Sequence, residues 1–209
     1  MGMISKRGFL FAQVALAAIG LVVIPAGSAE ALEKDPNEKA VLKACERVIC
    51  GIILTRRASA DTVSCDLAKT WSRKSISSSA KGKSLKWGFG DARCEVALRV
   101  PQSLLVAALT SPTDKLTLPK HTIKCGIERS EGMTKVELSL SPELDLENGR
   151  VRSASLGIAD IEAPALIKGA IWTVARLEST FGLFEGDLVR DINKFIEKKC
   201  PKRYPELKQ

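Results

Sequence analysis

Six cysteines, all placed after an apolar leader, constrain this 209-residue chain more than any other feature. They are Cys45, Cys50, Cys65, Cys94, Cys125 and Cys200. An even number of well-separated cysteines in an exported chain is the pattern of a disulfide framework. Sequence leaves the pairing open, with one constraint. If Cys45 and Cys50 share a helix, about 7.5 Å of axial rise and roughly 140° of rotation separate them. That is too far for a bridge between the two, so each is expected to reach another element. No Cys-x-x-Cys occurs. A zinc site or a redox dithiol would need such close pairs, so neither a metal nor a cofactor is expected.

The leader carries the export reading. Lys6 and Arg7 precede an almost wholly apolar run from Gly8 to Ile24, which Pro25 and Gly27 then break. Ala29-Glu30-Ala31 puts small residues where a signal peptidase needs them. The competing reading is a membrane anchor. The run falls slightly short of the about 20 residues that span a bilayer, and a cleavage site follows it closely. Residues 1–31 are therefore expected to be a cleaved signal peptide, cut after Ala31 or after Ala29. Residues 32–209 would form one exported domain, in the periplasm or secreted, and large enough to bury a core. No second spanning run follows Pro25.

The net charge of +8 is moderately basic. It favours contact with an anionic envelope surface. Aromatic residues make up 5% of the chain, too few for a stacking platform, and no nucleic-acid partner is expected.

Hydrophobic periodicity predicts an α+β fold: an N-terminal helix, an antiparallel meander sheet of about four to six strands, and C-terminal helices packed on one face. Asp35-Pro36-Asn37-Glu38 is a helix start, with Glu38 at a capping-box position. Val41, Cys45, Val48 and Ile52 recur at helical spacing, and the helix is expected from Pro36 to Cys50, ending near Gly51. Residues 72–86 read as a solvated basic loop, rich in Ser and Lys. Trp87-Gly88-Phe89 fits a strand before a turn at Gly90-Asp91. Cys94, Val96, Leu98 and Val100 alternate with polar residues and mark the clearest strand, ended by Pro101. Leu104 to Thr110 fits a short helix. Short strands follow at Leu116–Leu118 and Thr122–Glu128. The leucine run Val136, Leu138, Leu140, Leu144 and Leu146 should form a hairpin with Val151–Ile161 across Asn148-Gly149. A long apolar helix starts at Pro164 and is broken by Gly182. Another restarts near Asp187 and is stopped by Pro201.

No catalytic constellation stands out. His121 is the single histidine, and no Gly-x-Ser-x-Gly elbow accompanies it, so a structural role is expected rather than a Ser-His-Asp site. Glu137, Glu143, Asp145 and Glu147 share the polar phase of the leucine run. They would suit a carboxylate-based hydrolase or calcium, but alternation alone predicts a solvated face there. The chain is expected to be a non-enzymatic binding protein for an apolar or lipid-like ligand. Trp87, Phe89, Leu166, Ala170 and Trp172 are its candidate ligand contacts. Arg73, Lys74, Lys81, Lys83 and Lys86 are candidates for contact with an anionic surface. The alternative is an interaction or inhibitor module for another envelope protein, reading through Trp87 and Phe89.

Overall fold

A computed structural model describes residues 32, 34–79, 87–169, 171–172 and 185–208. The expected leader, Lys81, Lys83, Lys86, Ala170 and the stretch 173–184 lie outside the described residues. The element order is α1 (Glu38–Thr55), β1 (Thr62–Trp71), α2 (Arg73–Ser79), β2 (Ala92–Pro101), α3 (Gln102–Thr110) and β3 (Thr113–Thr117). Then come β4 (His121–Arg129), β5 (Gly132–Leu140), β6 (Glu143–Glu147), β7 (Arg150–Ser155) and β8 (Ile158–Glu162). Residues 165–169 and 171–172 are helical and are labelled α4. The chain then forms α5 (Glu185–Lys194), a π-helical turn (Phe195–Lys199), α6 (Cys200–Arg203) and a 3-10 turn (Pro205–Leu207). The α+β architecture with helices at both ends is the one the periodicity predicts.

The strands form two sheets rather than one. The larger has the order β1-β2-β4-β5-β8 and the smaller β3-β6-β7, with every pairing antiparallel. The smaller sheet continues three strands of the larger, β4, β5 and β8. Three chain segments cross between them, at Leu118–Lys120, Ser141–Pro142 and Leu156–Gly157. Proline has no N–H for the ladder, so Pro119 and Pro142 end the pairing on two of these crossings. Gly157 has φ +56°, and a Cβ there would lie 2.0 Å from the Ser141 carbonyl oxygen. Only glycine allows this approach, across which Ser141 N–H donates to Gly157 O at 2.9 Å. The leucine run is thus one long hairpin folded over at its middle. Its tip is the expected two-residue turn, with Asn148 at φ 53° and Gly149 at φ 71°, both signs that a type I′ turn requires.

Three disulfides tie these layers: Cys45–Cys65 joins α1 to β1, Cys50–Cys200 joins α1 to α6, and Cys94–Cys125 links opposed residues of β2 and β4. Cys45 and Cys50 do reach different elements. The inner face of the larger sheet carries Val63, Cys65, Val100, Cys125, Ile127 and Val136 against α1 and α4. The smaller sheet packs Leu116, Leu146, Val151 and Ala154 against α3 and α5.

Several local expectations need correction. First, α1 does not stop at Gly51 but runs to Thr55, and Arg56 takes the left-handed cap at φ 56°. Burial of Ile52 and Ile53 outweighs the ~1 kcal/mol that a helical glycine costs. Residues 73–79 are helix α2 rather than loop. Ser72 Oγ accepts from Ser75 N–H, and Ile76 packs on the core beside Trp87. Trp87 to Gly90 is irregular chain rather than strand. Trp87 Nε1–H donates to Gly90 O at 2.8 Å and curls the segment on itself. Finally, Pro201 does not stop the last helix, which continues to Arg203. Proline is tolerated in the first turn of α6, where its missing donor is not needed, and the preceding π turn absorbs the change in register.

Candidate functional site

Where α1, α3, α5 and the π turn meet on the smaller sheet, they do not fill the space against it completely. α1 contributes Ile49, Ile52 and Ile53 to the gap, and α3 contributes Leu105, Ala108 and Leu109. The smaller sheet adds Leu116, Leu144, Leu146 and Val151. Ile192 of α5 and Phe195 and Ile196 of the π turn close it. The result is a cavity of about 190 Å³. Every lining residue is apolar, so a water inside would lack the two to four polar partners it needs.

The rest of the molecule is built to hold this junction. Asn193 is buried on α5 and pairs with the edge strand β7 as another strand would. Its Oδ1 accepts from Val151 N–H at 2.9 Å, and its Nδ2 donates to Val151 O at 2.8 Å. Gln102, 1% exposed at the start of α3, accepts through Oε1 from the backbone N–H groups of Ser59 and Ala60. Cys50–Cys200 fixes the end of the π turn to α1. A π turn is uncommon and is often found at functional sites, and here two of its residues line the cavity.

The sequence-predicted ligand contacts do not line this cavity. Trp87 and Phe89 stack edge to face, with centroids 5.1 Å apart. They pack instead on the core of the larger sheet with Ile76, Ile167 and Ile171. Leu166 is 68% exposed and Trp172 36%, so α4 turns Ile167 inward and those two outward. Ala170 lies outside the described residues. Among the candidates for anionic contact, Arg73 and Lys74 are exposed on α2, while Lys81, Lys83 and Lys86 lie outside the described residues.

The carboxylates of the leucine run are dispersed into ion pairs. Glu143 meets Lys115 at 2.9 Å, Glu147 meets Arg152 at 2.8 Å, and Glu137 meets Lys124 at 3.7 Å. Asp145 accepts from Ser153 Oγ. Among the described residues, no group of three His, Cys, Asp or Glu side chains is placed to hold a metal. His121 is engaged by the backbone. Its Nε2 accepts from Arg99 N–H at 3.0 Å, and its Nδ1 lies 2.5 Å from Pro119 O. The ring therefore stands in for the ladder where β2 runs on past its pairing with β4. It lies in an open groove on the outer face of the larger sheet, beside Asp66, Glu95, Lys120 and Lys124.

Sequence reasoning missed Gln102, Asn193 and the cavity-lining residues as site positions. Nothing in the pattern marks them: the apolar residues recur at ordinary core spacing, and an isolated Asn or Gln on a helix reads as solvated. Among the described residues no helix is long and apolar enough to cross a membrane. Comparison with protein-family models, curated proteins and solved structures finds no match to this chain.

Proposed function

We propose that the chain is an exported, non-enzymatic binding protein that holds one small apolar molecule, or the end of one acyl chain, in the cavity between the smaller sheet and the helices. The observation that carries this reading is the cavity's wholly apolar lining at about 190 Å³. An apolar occupant would give these side chains packing partners that the protein itself does not supply. The volume also limits the ligand. It exceeds the roughly 150 Å³ of a dry engineered cavity that takes up benzene, and it is below the roughly 300 Å³ from which pockets for drug-sized ligands begin. A whole lipid is too large for it. Export is supported by the leader at residues 1–31 and by three disulfides, which persist in oxidising compartments.

Two other readings have less behind them. The interaction module needs Trp87 and Phe89 at the surface, and both pack on the core. The hydrolase needs paired free carboxylates, and Glu143 and Glu147 are each held by a cation. The test is native mass spectrometry of the protein purified from its own compartment, followed by organic extraction. A co-purifying apolar compound of matching size is the expected result. A protein recovered empty but bound to a second polypeptide would overturn the reading in favour of an interaction module.

A further inference from the structure

Glu128, at the end of β4, is a half-buried carboxylate without a counter-ion among the described residues. Its Oε2 accepts from Asp91 N–H and its Oε1 from Leu32 N–H, both at 2.9 Å. These backbone bonds hold its carboxyl below the usual range against the opposing effect of burial. The side chain is also fixed in place. A Cβ at Gly90 would lie 2.6 Å from Glu128 Cβ and 2.7 Å from its Oε2, so glycine at position 90 leaves the room that the carboxylate occupies. Gly90 N–H in turn donates to Glu128 O at 2.9 Å, and Glu128 N–H to Asp91 O at 2.9 Å.

Leu32 is the residue that follows Ala31. The segment after it is anchored to the larger sheet at further points. Asp35 lies 4.0 Å from Arg93, and Glu38 binds Lys69 at 3.0 Å. We infer that Ala31–Leu32 is the processing bond, and that the new α-ammonium group of Leu32 docks on Glu128 as its counter-ion. This rests on the proposed leader. Hydrolysis by a signal peptidase adds one water across the bond, breaks its C–N link, and leaves a carboxylate on Ala31 and an ammonium on Leu32. The N–H that donates to Glu128 then belongs to a cation. Charge-assisted hydrogen bonds are roughly twice as strong as neutral ones, so removal of the leader would tighten the fold at the end of β4, the central strand of the larger sheet. Cutting after Ala29 would instead put the charge on Glu30, ahead of Leu32 and beside an acidic side chain of its own.

The precursor is exported through its native route, and the N-terminus of the product is read by intact and peptide mass spectrometry. Leu32 is expected as the first residue. The mature protein and Glu128→Gln are then compared with and without acetylation of the α-amine, which removes the charge but keeps an N–H. Acetylation should raise the unfolding equilibrium constant about five- to ten-fold in the wild type and leave Glu128→Gln nearly unchanged. Should Glu128→Gln fail to fold, the acylation rate of the wild-type α-amine is the second readout. It is expected to be at least about ten-fold slower in the native protein than in urea. Glu30 at the terminus would overturn the assigned bond, and an uncleaved chain would also overturn the leader. A Leu32 terminus with equal acetylation effects in both backgrounds, or with an α-amine as reactive as in urea, would overturn the docking while leaving export intact.

Discussion

Glu38 is 2% exposed at the start of α1, where a capping carboxylate would ordinarily be solvated. It does not turn back onto its own helix. It crosses to β1, where it accepts from Lys69 Nζ and from Thr70 N–H, both at 3.0 Å. Burial pushes its carboxyl up, and these bonds more than offset that, so its pKa falls below the ordinary 4.5. A lowered carboxylate pKa stabilises the fold above the unfolded value and loses that effect as pH falls through the folded value. Glu38→Gln is expected to cost about 2 kcal/mol at pH 7. Its penalty should shrink steadily once the pH drops below about 4.5, as urea unfolding curves across that range would show. Asn193 makes a parallel case on α5. Asn193→Ala leaves both backbone groups of Val151 without their partner. It should destabilise by about 1–3 kcal/mol and loosen hydrogen-exchange protection at Val151 first. None of this was legible in the sequence, because burial of a lone polar side chain depends on which distant backbone group it meets.

At the scale of elements, periodicity succeeded where one strong local signal acts alone. β2 follows its alternation from Ala92 to Pro101, and Asn148-Gly149 forms the turn that its φ preferences demand. It failed where tertiary burial decides. Ile76 packs α2 on the core, and Ser72 Oγ and Asp91 Oδ1 accept from the helix's first backbone N–H groups, within a serine-rich stretch that reads as loop. The division into two sheets arises at Pro119, Pro142 and Gly157. Each looks like an ordinary interruption in the sequence, and they matter because they fall at one level of the fold. The disulfides test how the elements are joined. Cys50–Cys200 closes a separation of 150 residues and Cys45–Cys65 one of 20. The chain-entropy argument gives about 5 and about 3 kcal/mol for these spans. Replacing Cys50 and Cys200 by alanine should therefore lower the melting temperature more than replacing Cys45 and Cys65. It should also expose the α1–α6 junction to proteolysis first, which limited digestion with peptide mapping would reveal.

Across the whole molecule, the feature that points to function is an apolar space rather than a reactive side chain. The sequence suggested an apolar site between sheet and helix, with Trp87, Phe89, Leu166, Ala170 and Trp172 as its contacts. The cavity is lined by other residues, from α1, α3, α5, the smaller sheet and the π turn. Its position follows from how α1, α3 and α5 meet on the smaller sheet, which no local pattern encodes. Filling the cavity should separate ligand binding from folding. Ala108 is 1% exposed and lines the void, so Ala108→Leu adds carbon atoms where there is room for them. It should preserve or raise the melting temperature while abolishing uptake of apolar compounds, as read by calorimetry and by native mass spectrometry of the variant. The most direct measurement is methyl NMR of the mature protein titrated with a short-chain alkane or benzene. The account predicts saturable shifts confined to Leu105, Leu116, Leu146, Val151, Ile192 and Ile196. Shifts clustered around Ile167 and Ile171, or no saturable shifts at all, would contradict it.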